Sequence, residues 1–87
     1  MKFTKDPNAE LDYMLDWSAW LAGDVIAESE WIVDPSLTLI AHSYTDATAT
    51  VWVGGGIADT DVLVTNRITT VGGRQDDRTI TLKIRER

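Results

Sequence analysis

The sequence predicts an all-β protein: an antiparallel β-sandwich of six to seven strands preceded by an extended N-terminal arm. Three observations carry this expectation. Thr, Val and Ile number 11, 7 and 7, together 25 of 87 residues, and β-branched side chains, stiff at χ1, favour strands. Several short runs alternate apolar with polar residues, which gives each run one dry face and one wet face. Turn signals separate the runs at intervals of about ten residues, the spacing of a small sandwich.

The elements follow in order. Met1–Glu10 holds Pro7, shows no periodicity and is expected to be a loose arm, so residues 1–10 are set apart from a domain over 11–87. Leu11–Trp17 places Leu11, Tyr13, Leu15 and Trp17 on one face and Asp12, Met14 and Asp16 on the other. A turn over Ser18–Gly23 would follow this strand. Leu11, Met14, Leu15, Ser18, Ala19 and Ala22 also sit at helical spacing with Gly23 as a stop, so a helix over Leu11–Ala22 stays open. Val25–Val33 is a strand ended by Asp34-Pro35. Ile26 and Trp31 differ in parity, which asks for a bulge near Glu28-Ser29-Glu30 or an outward side chain. Leu37–Tyr44 and Thr48–Val53 come next, the latter stopped by Gly54-Gly55-Gly56. In Val62–Thr70, Val62, Val64 and Ile68 share a face. Gly72–Asp77 is a hairpin turn, and Arg78–Arg85 turns Ile80, Leu82 and Ile84 inward.

Composition narrows the function. With 87 residues, 44% hydrophobic and 25% charged, the chain makes one small globular domain. It has no cysteine, so disulfides and thiol chemistry are excluded. No apolar run approaches the roughly 20 residues that span a bilayer, and the polar start is unlike a signal peptide, so synthesis in the cytoplasm is expected. The net charge is −6. Asp6 to Asn66 carries eleven acidic residues and no Lys or Arg, whereas Arg67 to Arg87 carries six basic residues against three acidic ones. Such a chain is poorly matched to nucleic acid or to anionic membranes. The asymmetry has two readings: ion pairing between strands, or a dipolar subunit whose acidic side meets a neighbour's basic side.

No constellation points to catalysis or to a cofactor. His42 is the single histidine and stands without a companion nucleophile or a motif. Asp59-Thr60-Asp61 and Asp76-Asp77 are not complete calcium loops, and loop aspartates often cap turns. Gly54-Gly55-Gly56 lacks the pattern of a phosphate cradle. The expectation is therefore no enzyme, no cofactor and no metal. Of the four tryptophans, Trp31 suits the space between two sheets. Trp52, between inward Val51 and Val53, points outward as a contact anchor, a sugar-stacking platform, or cover for a loop or the arm.

The stretches Leu11-Asp12-Tyr13, Asp16-Trp17-Ser18-Ala19-Trp20-Leu21, Trp31-Ile32-Val33, Val51-Trp52-Val53, Val64–Thr70, and Gly73-Arg74 followed by Asp77-Arg78-Thr79-Ile80 occur in this order. Together they make the chain resemble the small tail or fiber-tail adaptor proteins, also placed at the neck, of tailed bacteriophages and prophages. The resemblance implies an immunoglobulin-like sandwich, a non-enzymatic role in the virion, and no catalytic residues. One departure is Val62, where such domains commonly carry an aromatic residue, often Tyr; a tyrosine-corner hydrogen bond is in doubt there.

The function expected is a virion structural protein at the tail or neck. It would link portal or tail proteins to fibers or the next ring, in several copies around a symmetry axis. Phe3, Asp6, Pro7, Trp20, Trp52 and Arg74 are the expected contacts, with Phe3 and the tryptophans as anchors and Arg74 at the rim. Removing Met1–Glu10 is expected to preserve the fold and weaken assembly. Capsid decoration and a carbohydrate-binding module are the alternatives.

Overall fold

The computed structural model describes residues 1–86, and Arg87 lies outside the described residues. Seven strands and one helical turn follow in order: β1 (Lys2–Lys5), β2 (Leu11–Asp16), α1 (Ser18–Leu21), β3 (Ile26–Val33), β4 (Leu37–Tyr44), β5 (Thr48–Gly55), β6 (Thr60–Thr70) and β7 (Gln75–Ile84). They form two sheets, a four-stranded one in the order β1-β7-β6-β3 and a three-stranded one in the order β2-β5-β4. All pairings are antiparallel except β1 with β7.

The predicted alternation builds the core. Val62, Val64, Ile68, Ile80, Leu82 and Ile84 face inward from the four-stranded sheet, and Leu15, Ala49, Val51 and Val53 from the other. Sheet packing of this kind places two such faces about 10 Å apart, so every inward side chain meets an opposite one. Ile26 and Trp31 are both buried because a bulge at Ala27 shifts the parity between them, one residue before the expected site.

Several expectations need correction. Residues 1–10 are extended, but the segment is not a loose arm. Lys2–Lys5 pairs with Thr81–Ile84 as an edge strand, and Thr81 N–H donates to Met1 O at 2.9 Å. Lys5 is wholly buried, and its ammonium donates to Asp6 O at 2.9 Å and to Gly55 O at 2.7 Å. A cation at an inward position reads as tail in a sequence; here two carbonyls satisfy it and fasten β1 to the opposite sheet. Burial pushes the Lys5 ammonium below its usual range, while Asp6 and then Glu10 pull it back. The open question at Leu11–Ala22 resolves as a strand followed by one helical turn, with Ala22 and Gly23 closing it at φ 49° and 95°. The strand β5 is not stopped at Val53 but runs on through Gly54 and Gly55. Gln75, Asp76 and Asp77 belong to β7 rather than to the turn, because Asp77 is held across the ladder by Arg67.

Candidate contact surfaces

The corner after β2 is built around tryptophan. Trp17 is fully buried, and its Nε1 donates to Asn66 Oδ1 at 3.0 Å. Asn66 is itself buried and donates from Nδ2 to Ser29 Oγ at 2.9 Å and Glu30 O at 3.0 Å. One side chain thus ties β2 to β6 and β3, across the two sheets. Trp20 meets Trp17 edge-on with ring centroids 5.5 Å apart. Arg78 lies 4.2 Å over Trp17 and Arg74 4.3 Å over Trp20, both in cation–π geometry.

Arg74 also donates to Leu21 O at 2.6 Å and to Trp20 O at 3.3 Å, and pairs with Asp24 at 3.2 Å. Its guanidinium therefore closes the β6–β7 turn onto the end of α1. Asp24 accepts further from Val25 N–H and Gly72 N–H. Hydrogen bonding, from Thr70 first, holds its carboxyl down at about 2.

At the N-terminal end, Phe3 is half-exposed and packs on Tyr13 with centroids 5.0 Å apart. Asp6 and Pro7 form a turn in which Asn8 N–H donates to Asp6 Oδ1 at 2.8 Å and Ala9 N–H to Asp6 O at 3.0 Å. These residues shape the passage from β1 to β2.

Trp52 stands on the outer face of the three-stranded sheet, 44% exposed. Its β2 neighbour across the ladder is Asp12, and Met14, also exposed, lies opposite Thr50 on the same face. Gly54 continues the face, roofed by Ile40 Cδ1 and by Glu10 Cγ. The result is an apolar strip rimmed by carboxylates. An open groove of about 460 Å³ runs between β3 and β4, lined by Glu30, Trp31, Leu39, His42, Tyr44 and Arg67 among others. There the Trp31 indole N–H has no partner, and Tyr44 Oη donates to Ala27 O at 2.7 Å. That tyrosine bond joins the sheets from β4, not from the Val62 position.

The expected contacts thus fall in three places: Phe3, Asp6 and Pro7 at one end, Trp20 with Arg74 at a corner, and Trp52 on a sheet face. Sequence reasoning missed Asn66, Lys5, Met14 and Arg78. Asn66 was readable as a polar residue at the inward parity of Val62, Val64 and Ile68. Of the calcium candidates, Asp61 pairs with Arg85 at 3.0 Å and Asp77 with Arg67 at 2.9 Å.

A family model for the podophage GP4 fiber-tail adaptor protein gp77 matches residues 5–83. The chain belongs to that family. The matched span reaches from the buried Lys5 to Lys83 in β7 and takes in every expected contact except Phe3. No curated protein matches the chain. The adaptor is accordingly a structural protein of the phage tail, and its family is one of structural adaptors rather than known enzymes.

Proposed function

We propose that the adaptor links portal or tail proteins to fibers or to the next ring, in several copies around the tail axis, without catalysis and without a cofactor. The observation that carries this reading is the exposed Trp52, set with Met14 on a rigid sheet and rimmed by Asp12 and Glu10. An aromatic anchor on a preordered surface binds with little loss of side-chain entropy, and anchors of this type dominate interface energies. Trp20 and Arg74 take part as a braced corner, since Arg74 is bonded to its own chain. Phe3, Asp6 and Pro7 form the contact at the N-terminal end. An immunoglobulin-like plan belongs to the same reading. It is supported by the strand order, in which β2, β5 and β4 make one sheet and β3, β6 and β7 the other, with β1 added in parallel to the last strand.

The test is assembly of particles without this chain, with fibers counted by mass spectrometry and negative-stain microscopy. Loss of fibers from otherwise assembled particles is the expected result, and a normal fiber complement overturns the reading. Trp52→Ala should cost about 1–2 kcal/mol of stability, since over half of the ring is covered on a central strand, and should lower incorporation in particles that still contain folded protein.

A further inference from the structure

The two sheets do not cover each other fully on the side of β3 and β4. In the β4–β5 ladder Leu39, His42 and Tyr44 stand level with Val53, Val51 and Ala49, and residues level in a ladder share a face. Those three β5 residues are wholly buried, yet Leu39 is 39% exposed, Tyr44 45%, and His42 is exposed as well. Core-side residues of β4 therefore lie open, and they line the groove of about 460 Å³ together with Glu28, Glu30 and Arg67. Along that groove runs the edge of β3, which pairs with β6 on its other side and is the last strand of its sheet. Asp46 O accepts from Ile26 N–H and Tyr44 Oη caps Ala27 O, so the free stretch of this edge is Glu28–Val33.

A free edge offers a row of unpaired N–H and C=O groups, which extended backbone completes. A strand laid beside Glu28–Val33 would turn alternate side chains toward Leu39, His42 and Tyr44, and the others to the outer face beside Glu28 and Glu30. Both carboxylates are exposed. Glu28 enters none of the ion pairs among the described residues, and Glu30 reaches only Arg67, at 3.7 Å. That guanidinium is already held by Asp77 through bonds of 2.9 and 3.0 Å. We propose that the groove takes an extended segment of another protein, apolar on one face and basic on the other, as an added strand on β3. The carboxylates decide the sign. The same edge of a second copy would bring Glu28 and Glu30 against like charge, whereas lysines or arginines pair with them across the ladder. The site lies on the opposite side of the three-stranded sheet from Trp52, and it stands whether or not the adaptor reading does.

Fluorescence anisotropy tests it, with a labelled eight-residue peptide of alternating lysine and valine titrated with the purified full chain. The peptide should bind, and the same peptide N-methylated along its backbone should not, because it cannot pair with the edge. Glu28→Lys combined with Glu30→Lys should weaken binding about tenfold or more and should bind a glutamate–valine peptide instead. Glu86→Lys, beyond the far end of β7, changes the net charge by as much as either single reversal and should leave the affinity unchanged. The thermal midpoint of each variant checks the fold. Should the double variant not fold, Glu28→Gln replaces it, keeps Glu30 with Arg67, and should weaken binding about threefold. No binding at millimolar peptide overturns the proposal. So does equal binding of the N-methylated peptide, an unweakened groove variant, or a loss in Glu86→Lys as large as in the groove variants.

Discussion

Asn66→Ala removes the polar tie between the sheets. The substitution strips the acceptor from Trp17 Nε1, which is buried, and the donor from Ser29 Oγ and Glu30 O, which are only partly buried. The second pair can turn to water, but the indole N–H cannot. A buried donor left unmade costs about 1–3 kcal/mol, and the vacated amide leaves a small void beside Trp17. The total is about 2–4 kcal/mol. At 0.05–0.15 kcal/mol per residue a chain of this size has roughly 4–13 kcal/mol in all, so the loss is large. It should lower Tm by about 10–30 °C. Urea unfolding followed by tryptophan fluorescence measures it. Asn66→Asp adds a check on mechanism. A carboxyl buried at this point is pushed above its unfolded pKa, so its folded form is favoured at low pH and penalised as pH rises through the folded pKa. The gap between Asn66→Asp and wild type should therefore be widest near neutrality and narrow toward pH 4. A loss under about 0.5 kcal/mol for Asn66→Ala, within the range of an ordinary surface change, would refute the reasoning.

The other predictions concern the backbone, acid stability and the first strand. Gly56 has φ 105°, and a Cβ there would lie 2.9–3.2 Å from three carbons of Ile84; Gly56→Ala should cost about 2–4 kcal/mol by calorimetry, from strain and overpacking together. The Asp24 carboxyl is held at about 2 in the folded protein, so its contribution is present above the ordinary carboxylate pKa and lost as pH falls from about 4 toward 2. Asp24→Asn should be less stable at neutral pH and show a shallower acid loss, read as midpoint against pH. Deleting residues 1–10 removes β1 and uncovers the edge of β7, contrary to the expectation that the fold survives the loss of the arm. The truncated chain should lose at least about 2 kcal/mol, from unburied apolar surface alone, and aggregate through the bared edge; unchanged denaturant midpoints would count against that.

Much of the fold was legible because period-two alternation reports burial directly. The strand β7 shows this best: Ile80, Leu82 and Ile84 read inward and are buried. The outward Trp52 followed from the same parity. What stayed hidden depended on partners distant in sequence. Lys5 looked like tail because one of the two carbonyls that satisfy it, Gly55 O, lies fifty residues on. Arg74 looked like a rim contact because the carbonyls of Trp20 and Leu21 that receive it come from the other end of the chain. The Leu11–Ala22 ambiguity reflected two true local signals, a strand through Asp16 and a helical turn from Ser18. The stretches that carry the family resemblance include Trp17, Asn66, Arg74 and Arg78, the residues that build the braced corner. Alternation alone sets Met14 outward, but that it shares its face with Trp52 shows only once β2 and β5 are paired.

The central claim is that this chain is a low-copy structural part of the phage tail. Quantitative mass spectrometry of purified particles, scaled to the portal and major capsid proteins, tests it most directly. The account predicts roughly six to a few tens of copies per particle, as a closed ring requires. Hundreds of copies, or none, would contradict it.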